Sequence, residues 1–430
     1  MRKENLYRIP ILILLATSVA ASMVGCAGPS AFAEEAKSDL DREESPQVES
    51  PDLEKLVEGN TAFAFDLYQA LREKGDNLFY SPYSISIALA MTYAGARGET
   101  EQQMADTLHF LLSQDRLHPA FNALDLELAR RGEDVKQEEG EPFQLNIANS
   151  IWGQQDFEFL PEFLDTLALN YGAGLRLVDF VKATEEARQA INQWVEDKTE
   201  DKIKDLIPEG VLDRMTRLVL ANAIYFNAGW MHPFEEGNTK EGTFYLLDGS
   251  TVTAPFMSQE ENFRYAKRDS YQAVELPYVG GNTSMVILLP KEGQFDSFED
   301  SLDSDHVKQI LDSLEMQNVF LNMPKFEVES SFSLKEALTS MGMRDAFEAA
   351  DFSGINGKKD LFISEILHKA YVSVDEEGTE AAAATAVIIS LTAMPEAPVE
   401  MTLDQPFIYL IRDNETGTIL FVGRVMNPVS

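Results

Sequence analysis

One cysteine, Cys26, in 430 residues excludes a disulfide framework, so packing must hold this chain together. Histidine is almost as scarce. The five present, His109, His118, His232, His306 and His368, form no His-Glu-x-x-His pair. None stands at metal-ligand spacing from the cysteine, which excludes the common zinc sites. The chain also lacks a Gly-x-Ser-x-Gly elbow and a Gly-x-x-x-x-Gly-Lys-Ser/Thr phosphate loop. No metal, no cofactor and no enzymatic activity is expected. Basic residues are few, 35 against 72 acidic ones, for a net charge of −37. So acidic a body repels nucleic acid and anionic membranes and offers no broad face to polyanionic sugars.

Long apolar runs are absent except at the N-terminus. There Arg2, Lys3 and Arg8 precede "ILILLATSVAASMV", an apolar stretch of export-signal length and too short to favour a membrane span. It ends in "MVGC", which resembles a bacterial lipobox with Met23 in place of the usual Leu and Cys26 as the lipidated residue. An ordinary secretory signal cleaved near Ala31–Ala33 is the alternative. Either reading places the protein outside the cytoplasm, in the cell envelope or beyond. Residues 1–26 are read as the signal peptide, 27–52 as a disordered acidic tether rich in Ser, Pro, Glu and Asp, and 53–430 as one domain. Contact with a membrane is expected only through the lipid.

With 44% hydrophobic residues the domain has ample material for a core. "NTAFAFDLYQALREK" carries a helical apolar stripe with Asn60 or Thr61 as cap, and "NLFYSPYSISIALAMTYAGA" runs from a short strand into a buried helix. Strand patterns dominate later, among them "FQLNIANSIWG", "RLVLANAIYFNAGW", "LFISEILHKAYVSV" and "PFIYLIRD". Helices early and strands late argue an α+β class rather than alternating βαβ units.

The stretch "DEEGTEAAAATAVIIS" follows a strong strand pattern yet fits neither a helix nor a buried strand. Ala381 to Ala384 favour a helix by propensity, but Gly378, the β-branched residues that follow and the missing apolar stripe oppose one. It resembles the hinge of the reactive-centre loop of serpins, the serine-protease-inhibitor family. "MTLDQPFIYLI", "LVLANAIYFNAGWMHPF", "NLFYSPYSISIALAMTYAGARGET", "LHKAYVSVDEEGTEA" and "ADFSGI" also match segments of that family, in its order.

The resemblance covers about Leu53 to Pro428 and implies the serpin fold, with three β-sheets, about nine helices and an exposed loop near the C-terminus. It also implies a suicide-type inhibitor that forms a covalent acyl complex with a serine endopeptidase and then inserts its cleaved loop into the central sheet. A monomer is expected. An inserted strand needs small side chains on its buried face and no proline. From the hinge glutamate Glu376 and the pivot Gly378, the buried set would be Thr379, Ala381, Ala383 and Thr385. Counting Glu376 as the first of seventeen residues gives Thr392-Ala393 as the scissile bond, with Leu391 and Met394 as competing positions. Such a site suits an elastase- or subtilisin-like pocket rather than a trypsin-like one. Ser81, Ser84, Asn222 and His368 correspond to the family's shutter, where strands part, and Trp230 to the tryptophan at the top of the sheet. The region after "HPAFNALDLELARR" lacks the basic stripe of heparin-activated members, so no activating cofactor is expected. The alternative is a serpin-fold carrier or binding protein without inhibition.

Overall fold

The run "LVLANAIYFNAG" is apolar in both alternating registers, as a strand buried on two faces must be. In the computed structural model it is β5 (Leu218–Gly229), near the middle of a seven-stranded sheet. The structure describes residues 34–72, 76–131, 144–379 and 397–429, all within one compact unit, Ala33–Ser430. In spatial order the sheet runs β1 (Glu34–Ala36), β4 (Leu175–Val178), β3 (Gln144–Gln154), β5, β13 (Gly378–Thr379), β12 (Ile363–Val374) and β11 (Phe326–Ser333). Below β13, β5 and β12 pair directly and in parallel, His368 lying opposite Asn222.

A second ladder of nine strands contains β14 (Val399–Thr402), β10 (Glu315–Pro324), β7 (Thr251–Lys267), β8 (Tyr271–Pro277), β9 (Thr283–Pro290), β15 (Phe407–Asp413), β16 (Ile419–Val425) and β2 (Leu78–Tyr80), with β6 (Lys240–Tyr245) paired to β7. The second and third sheets implied by the resemblance are joined through β7. This strand of 17 residues pairs with β6 and β10 along most of its length and with β8 at its end.

Eleven α-helices occur among the described residues. Six come before residue 200: α1 (Ser50–Leu71), α2 (Pro82–Tyr93), α3 (Gly98–Thr107), α4 (Gln114–Ala129), α5 (Pro161–Tyr171) and α6 (Thr184–Lys198). Five shorter ones follow: α7 (Phe295–Asp300), α8 (Ser304–Asp312), α9 (Lys335–Met341), α10 (Asp345–Glu348) and α11 (Ser353–Asn356). Every residue of α2 is buried, which is why "PYSISIALAMTY" shows no polar face. None of the described helices is long and apolar enough to cross a membrane.

The tether expected over 27–52 departs from the structure in its second half. β1 adds to the sheet edge, with Glu35 opposite Arg176. Arg42 reaches Asn122 and Asp125 of α4 at 2.7 Å each, and Glu43 N donates to Leu169 O. The helix expected from Asn60 begins at Ser50, and Asp52 is buried in an ion pair with Arg116. Composition missed this because much of the order comes from polar partners on distant elements, with Val48 the apolar residue of 34–52 that packs against the large core.

Two cores sit on opposite faces of the seven-stranded sheet. Leu218, Leu220 and Ile224 point into the large core with α2 and the second ladder. Val219, Ala221 and Ala223 point the other way, into a smaller core closed by Ile191 and Val195 of α6 and by Ile203, Leu206 and Ile207 of the segment after it. The helix and its trailing segment therefore lie across the sheet face where β5 and β12 meet.

Candidate functional site: hinge seat and shutter

The chain leaves β12 at Val374 and turns back at once. Asp375 makes the turn: its Oδ1 accepts from Glu377 N at 3.0 Å and Gly378 N at 3.3 Å, and its backbone N donates to Gly378 O. Gly378 and Thr379 then form β13, antiparallel to both neighbours, with Gly378 opposite Gly229 and Thr379 opposite Ala228 and Val374. Gly378 and Thr379, two of the residues expected to form the hinge, occupy the slot between β5 and β12.

Several groups hold this turn. Trp230 N donates to Glu377 O at 2.8 Å, Trp230 Nε1 to Asp375 O at 3.0 Å, and Phe234 N to Glu376 O at 2.8 Å. The Glu376 carboxylate accepts from Lys325 Nζ and Thr239 Oγ1, both at 2.6 Å. Burial pushes its pKa up, but these hydrogen bonds outweigh burial and hold the carboxyl below the usual range. Glu376 is thus an ionised anchor of the turn between β12 and β13.

Gly378 is required here for space. Its φ is not positive. A Cβ at this position would overlap Ala228 O and lie 2.7 Å from Gly229 Cα. The flexible pivot expected from the sequence is a close approach of two backbones. Thr379 is fully buried, and its Oγ1 lies 2.9 Å from Tyr278 Oη. The Tyr278 ring stacks on Trp230, centroids 4.6 Å apart and planes 8° from parallel.

Further down the slot, the residues expected to form the shutter meet. Ser81 caps α2, its Oγ accepting from Ser84 N at 3.1 Å, with Pro82 at the first helical position. Asn222 Nδ2 donates to Ser84 Oγ at 2.6 Å and also to Asn149 Oδ1. Ser84 Oγ lies 3.3 Å from Asn149 Oδ1, and Asn149 Nδ2 donates to Ser84 O at 3.1 Å. His368 Nδ1 bonds Asn222 Oδ1, and Ser81 N points at His368 Nε2 from 3.4 Å. A backbone N–H can only donate, so Nε2 is the lone-pair nitrogen and Nδ1 carries the proton. The ring is neutral, as burial requires: it pushes the His368 pKa down to about 3.

Over the opposite face, α6 is fastened by an aromatic clamp. The Arg176 guanidinium sits 5.6 Å from the Trp152 ring centroid and 5.1 Å from that of Trp194 on α6. The two indoles meet edge to face at 6.0 Å. Lys369 of β12 adds a bond to Lys204 O in the trailing segment, at 3.0 Å.

Ser81, Ser84, Asn222 and His368 thus form one cluster, and Glu376, Gly378, Thr379 and Trp230 another at the top of the same slot. Ala381, Ala383, Thr385, Thr392, Ala393 and Cys26 lie outside the described residues. Asn149, Tyr278, Lys325 and Thr239 escaped the sequence reading. Asn149 offered a polar residue within an apolar strand pattern; the other three offered no local signal. No group of His, Cys, Asp and Glu among the described residues could hold a metal ion.

Comparison with known proteins agrees with this architecture. Residues 58–428 match the family described as Serpin (serine protease inhibitor). Leukocyte elastase inhibitor of Sus scrofa is 42% identical over 394 residues, covering 87% of this chain and 100% of the relative. The crystal structure of the thermophilic serpin Tengpin in the native state superposes with a TM-score of 0.79 at 29% identity, covering 92% of this chain and 99% of Tengpin. Uncleaved ovalbumin superposes with a TM-score of 0.77 at 26% identity, covering 87% of this chain and 100% of ovalbumin. On the match across residues 58–428 and the identity to curated relatives, this chain belongs to the serpin family.

Proposed function

We propose that this protein inhibits extracellular serine proteases by trapping them as acyl-enzymes, with an elastase- or subtilisin-like enzyme as the preferred target. The observation that carries the reading is β13. A central slot between β5 and β12 accepts Gly378 and Thr379 with ladder pairing on both sides, which supports entry of the chain that follows. The small residues Ala381, Ala383 and Thr385 continue the same alternation in sequence.

The target's serine Oγ attacks the Thr392 carbonyl carbon. The Thr392–Ala393 bond breaks, the Ala393 amine leaves with a proton from the protease's own general acid, and Thr392 remains esterified to the enzyme. Entry of the loop as a full strand carries the protease along the sheet, pulls its serine away from the oxyanion hole and slows hydrolysis of the ester. The inhibitor supplies bait, hinge and stored free energy, and no catalytic group. The name of the Sus scrofa relative supports an elastase as target. The same reading includes a monomer exported and tethered to the envelope through lipidated Cys26.

Incubation with leukocyte elastase tests it. A complex stable to denaturing electrophoresis, releasing a C-terminal peptide that begins at Ala393, is the expected result. A peptide beginning at Thr392 or Pro395 moves the scissile bond, and no covalent complex with a panel of serine proteases rejects inhibition. A carrier role is the second reading, favoured by a hollow of about 950 Å³ lined by Val57, Phe263, Leu311 and Arg412 among others. Nicking the loop separates the two: an inhibitor gains greatly in thermal stability, whereas a carrier keeps its midpoint.

A further inference from the structure

The end of the seven-stranded sheet remote from Gly378 and Thr379 carries exposed apolar residues on two fixed turns. There Gln154 N donates to Arg217 O and Gln155 N to Val178 O, which draws the ends of β3, β4 and β5 together. After β4, Asp179 Oδ1 accepts from Val181 N at 3.2 Å and Lys182 N at 3.0 Å, while Phe180 is fully buried. Before β5, Asp213 Oδ1 accepts from Met215 N at 2.7 Å and Thr216 N at 3.1 Å, while Thr216 is buried. Each turn lifts an apolar side chain two residues after its aspartate, Val181 at 37% exposure and Met215 at 64%. Val211 is exposed in the same loop as Met215. A cation stands next to each apolar tip: Lys182, whose side chain is 75% exposed, and Arg214, also exposed.

Apolar tips flanked by cations fit a lipid interface. The Val and Met side chains enter the headgroup layer, and Lys and Arg donate to phosphate. The course of the chain favours this occupant. β1 runs antiparallel to β4, with Glu34 opposite Leu177, and β4 runs beside β3 with Val178 opposite Gln154. The N-terminal end of β1 therefore lies at this same edge of the sheet. Cys26 precedes Glu34 by eight residues, at most about 28 Å of extended chain. The net charge of −37 gives no long-range attraction to an anionic bilayer. The acyl chains supply the affinity, and the exposed turns set the orientation.

We propose that the sheet end formed by Val181, Lys182, Val211, Arg214 and Met215 rests on the phospholipid bilayer that receives the acyl chains of Cys26. This rests on the lipid anchor of the reading above. Ten residues of β5 separate Leu218 from Ala228, about 33 Å of strand, so Gly378 and Thr379 are held away from the membrane, on the side where a soluble protease approaches.

The test uses the full chain, lipidated and reconstituted in vesicles of phosphatidylethanolamine and phosphatidylglycerol. Lipidation occupies the thiol of the only cysteine, so Val181→Cys, Met215→Cys and, at the opposite end of β5, Met231→Cys each offer one thiol to a nitrobenzoxadiazole fluorophore. The first two labels should shift to the blue on vesicles and be quenched several-fold by doxyl-labelled lipid, and the Met231→Cys label should do neither. Lys182→Glu combined with Arg214→Glu should weaken quenching of the Met215→Cys label at least about twofold. The thermal midpoint should stay unchanged, because both side chains are exposed. If the first two labels stay as wet as the third on protein that floats with the vesicles, the orientation is overturned and the anchor stands. A blue shift that appears without vesicles and grows with protein concentration assigns the face to a second copy and also overturns the orientation. Failure of the unsubstituted protein to float with vesicles overturns anchor and orientation together.

Discussion

Tyr278 Oη and Thr379 Oγ1 lie 2.9 Å apart, and both residues are fully buried. Thr379 lies in β13 and Tyr278 follows β8 in the other ladder, so one hydrogen bond joins the segment proposed to insert to the fixed part of the molecule. Trp230, stacked on Tyr278 and bonded through Nε1 to Asp375 O, braces the contact from the side. In the proposed mechanism Gly378 and Thr379 are seated before cleavage, and further insertion begins from this seat.

Thr379→Arg should convert the protein from a trap into a substrate. The guanidinium would replace a hydroxyl beside Tyr278, where no carboxylate bonds to it, and burying an unpaired charge costs several kcal/mol. Each 1.4 kcal/mol added to the insertion barrier slows it about tenfold, whereas acylation at the loop is untouched. The number of inhibitor molecules consumed per protease trapped should rise at least about tenfold. An unchanged stoichiometry would sink the insertion mechanism for this chain.

Gly378→Ala separates space from flexibility as the reason for glycine. If the residue served only as a pivot, alanine would narrow the unfolded ensemble and stabilise the protein by about 0.4–1 kcal/mol. The overlap with Ala228 O and Gly229 Cα predicts the opposite sign, a loss of about 1–3 kcal/mol as β5 and the hinge are forced apart. Urea unfolding of the native form, with slower trapping as a second readout, decides the sign.

Two buried histidines make the protein sensitive to mild acid. Burial pushes His368 down to about 3 and His118 down to about 4, against an ordinary value near 6.5 in the unfolded chain. Below pH 6.5 the unfolded state binds protons that the native state refuses. The stability is therefore present in full above pH 6.5 and lost as pH falls, by about 1.4 kcal/mol per unit per histidine. The loss from His118 ends near pH 4 and that from His368 near pH 3. Unfolding midpoints in urea at pH 7.5, 6 and 5 should decline in that order, and His118→Gln should reduce the slope. A flat profile between pH 6.5 and 5 would contradict the burial argument.

Arg176→Ala should loosen α6. Removing a guanidinium held between Trp152 and Trp194 should cost about 1–2 kcal/mol, with Arg176→Lys losing less. Because α6 and the segment after it cover the face where β5 and β12 meet, the same change should speed insertion. Faster hydrogen exchange along α6 together with faster trapping is the expected pair of results. Faster exchange without faster trapping would show that the clamp is structural only.

That Ser81, Ser84, Asn222 and His368 belong together, and that Glu376, Gly378 and Trp230 do, was legible only through the family resemblance; the structure brings each group together. The proposed insertion as a central strand would exclude proline and bulk, and "GTEAAAATA" carries neither. Ser81 before Pro82 marks the start of a helix, and the apolar run around Asn222 marks a strand buried on two faces. What tertiary structure alone decided is which distant groups meet. Asn149 completes the shutter from β3, and Lys325 and Thr239 hold Glu376 from elements 51 and 137 residues away. Residues 34–49, read as a tether from their polar composition, lie ordered against α4 and α5 through Arg42 and Glu43. Gly378 is fixed by the approach of Ala228 rather than by its own conformation. Sequence determines patterns along a chain, such as periodicity, caps and the exclusion of bulk. Partners far apart along it are set only when the sheets close, because a hydrogen bond or a clash depends on ångströms in space.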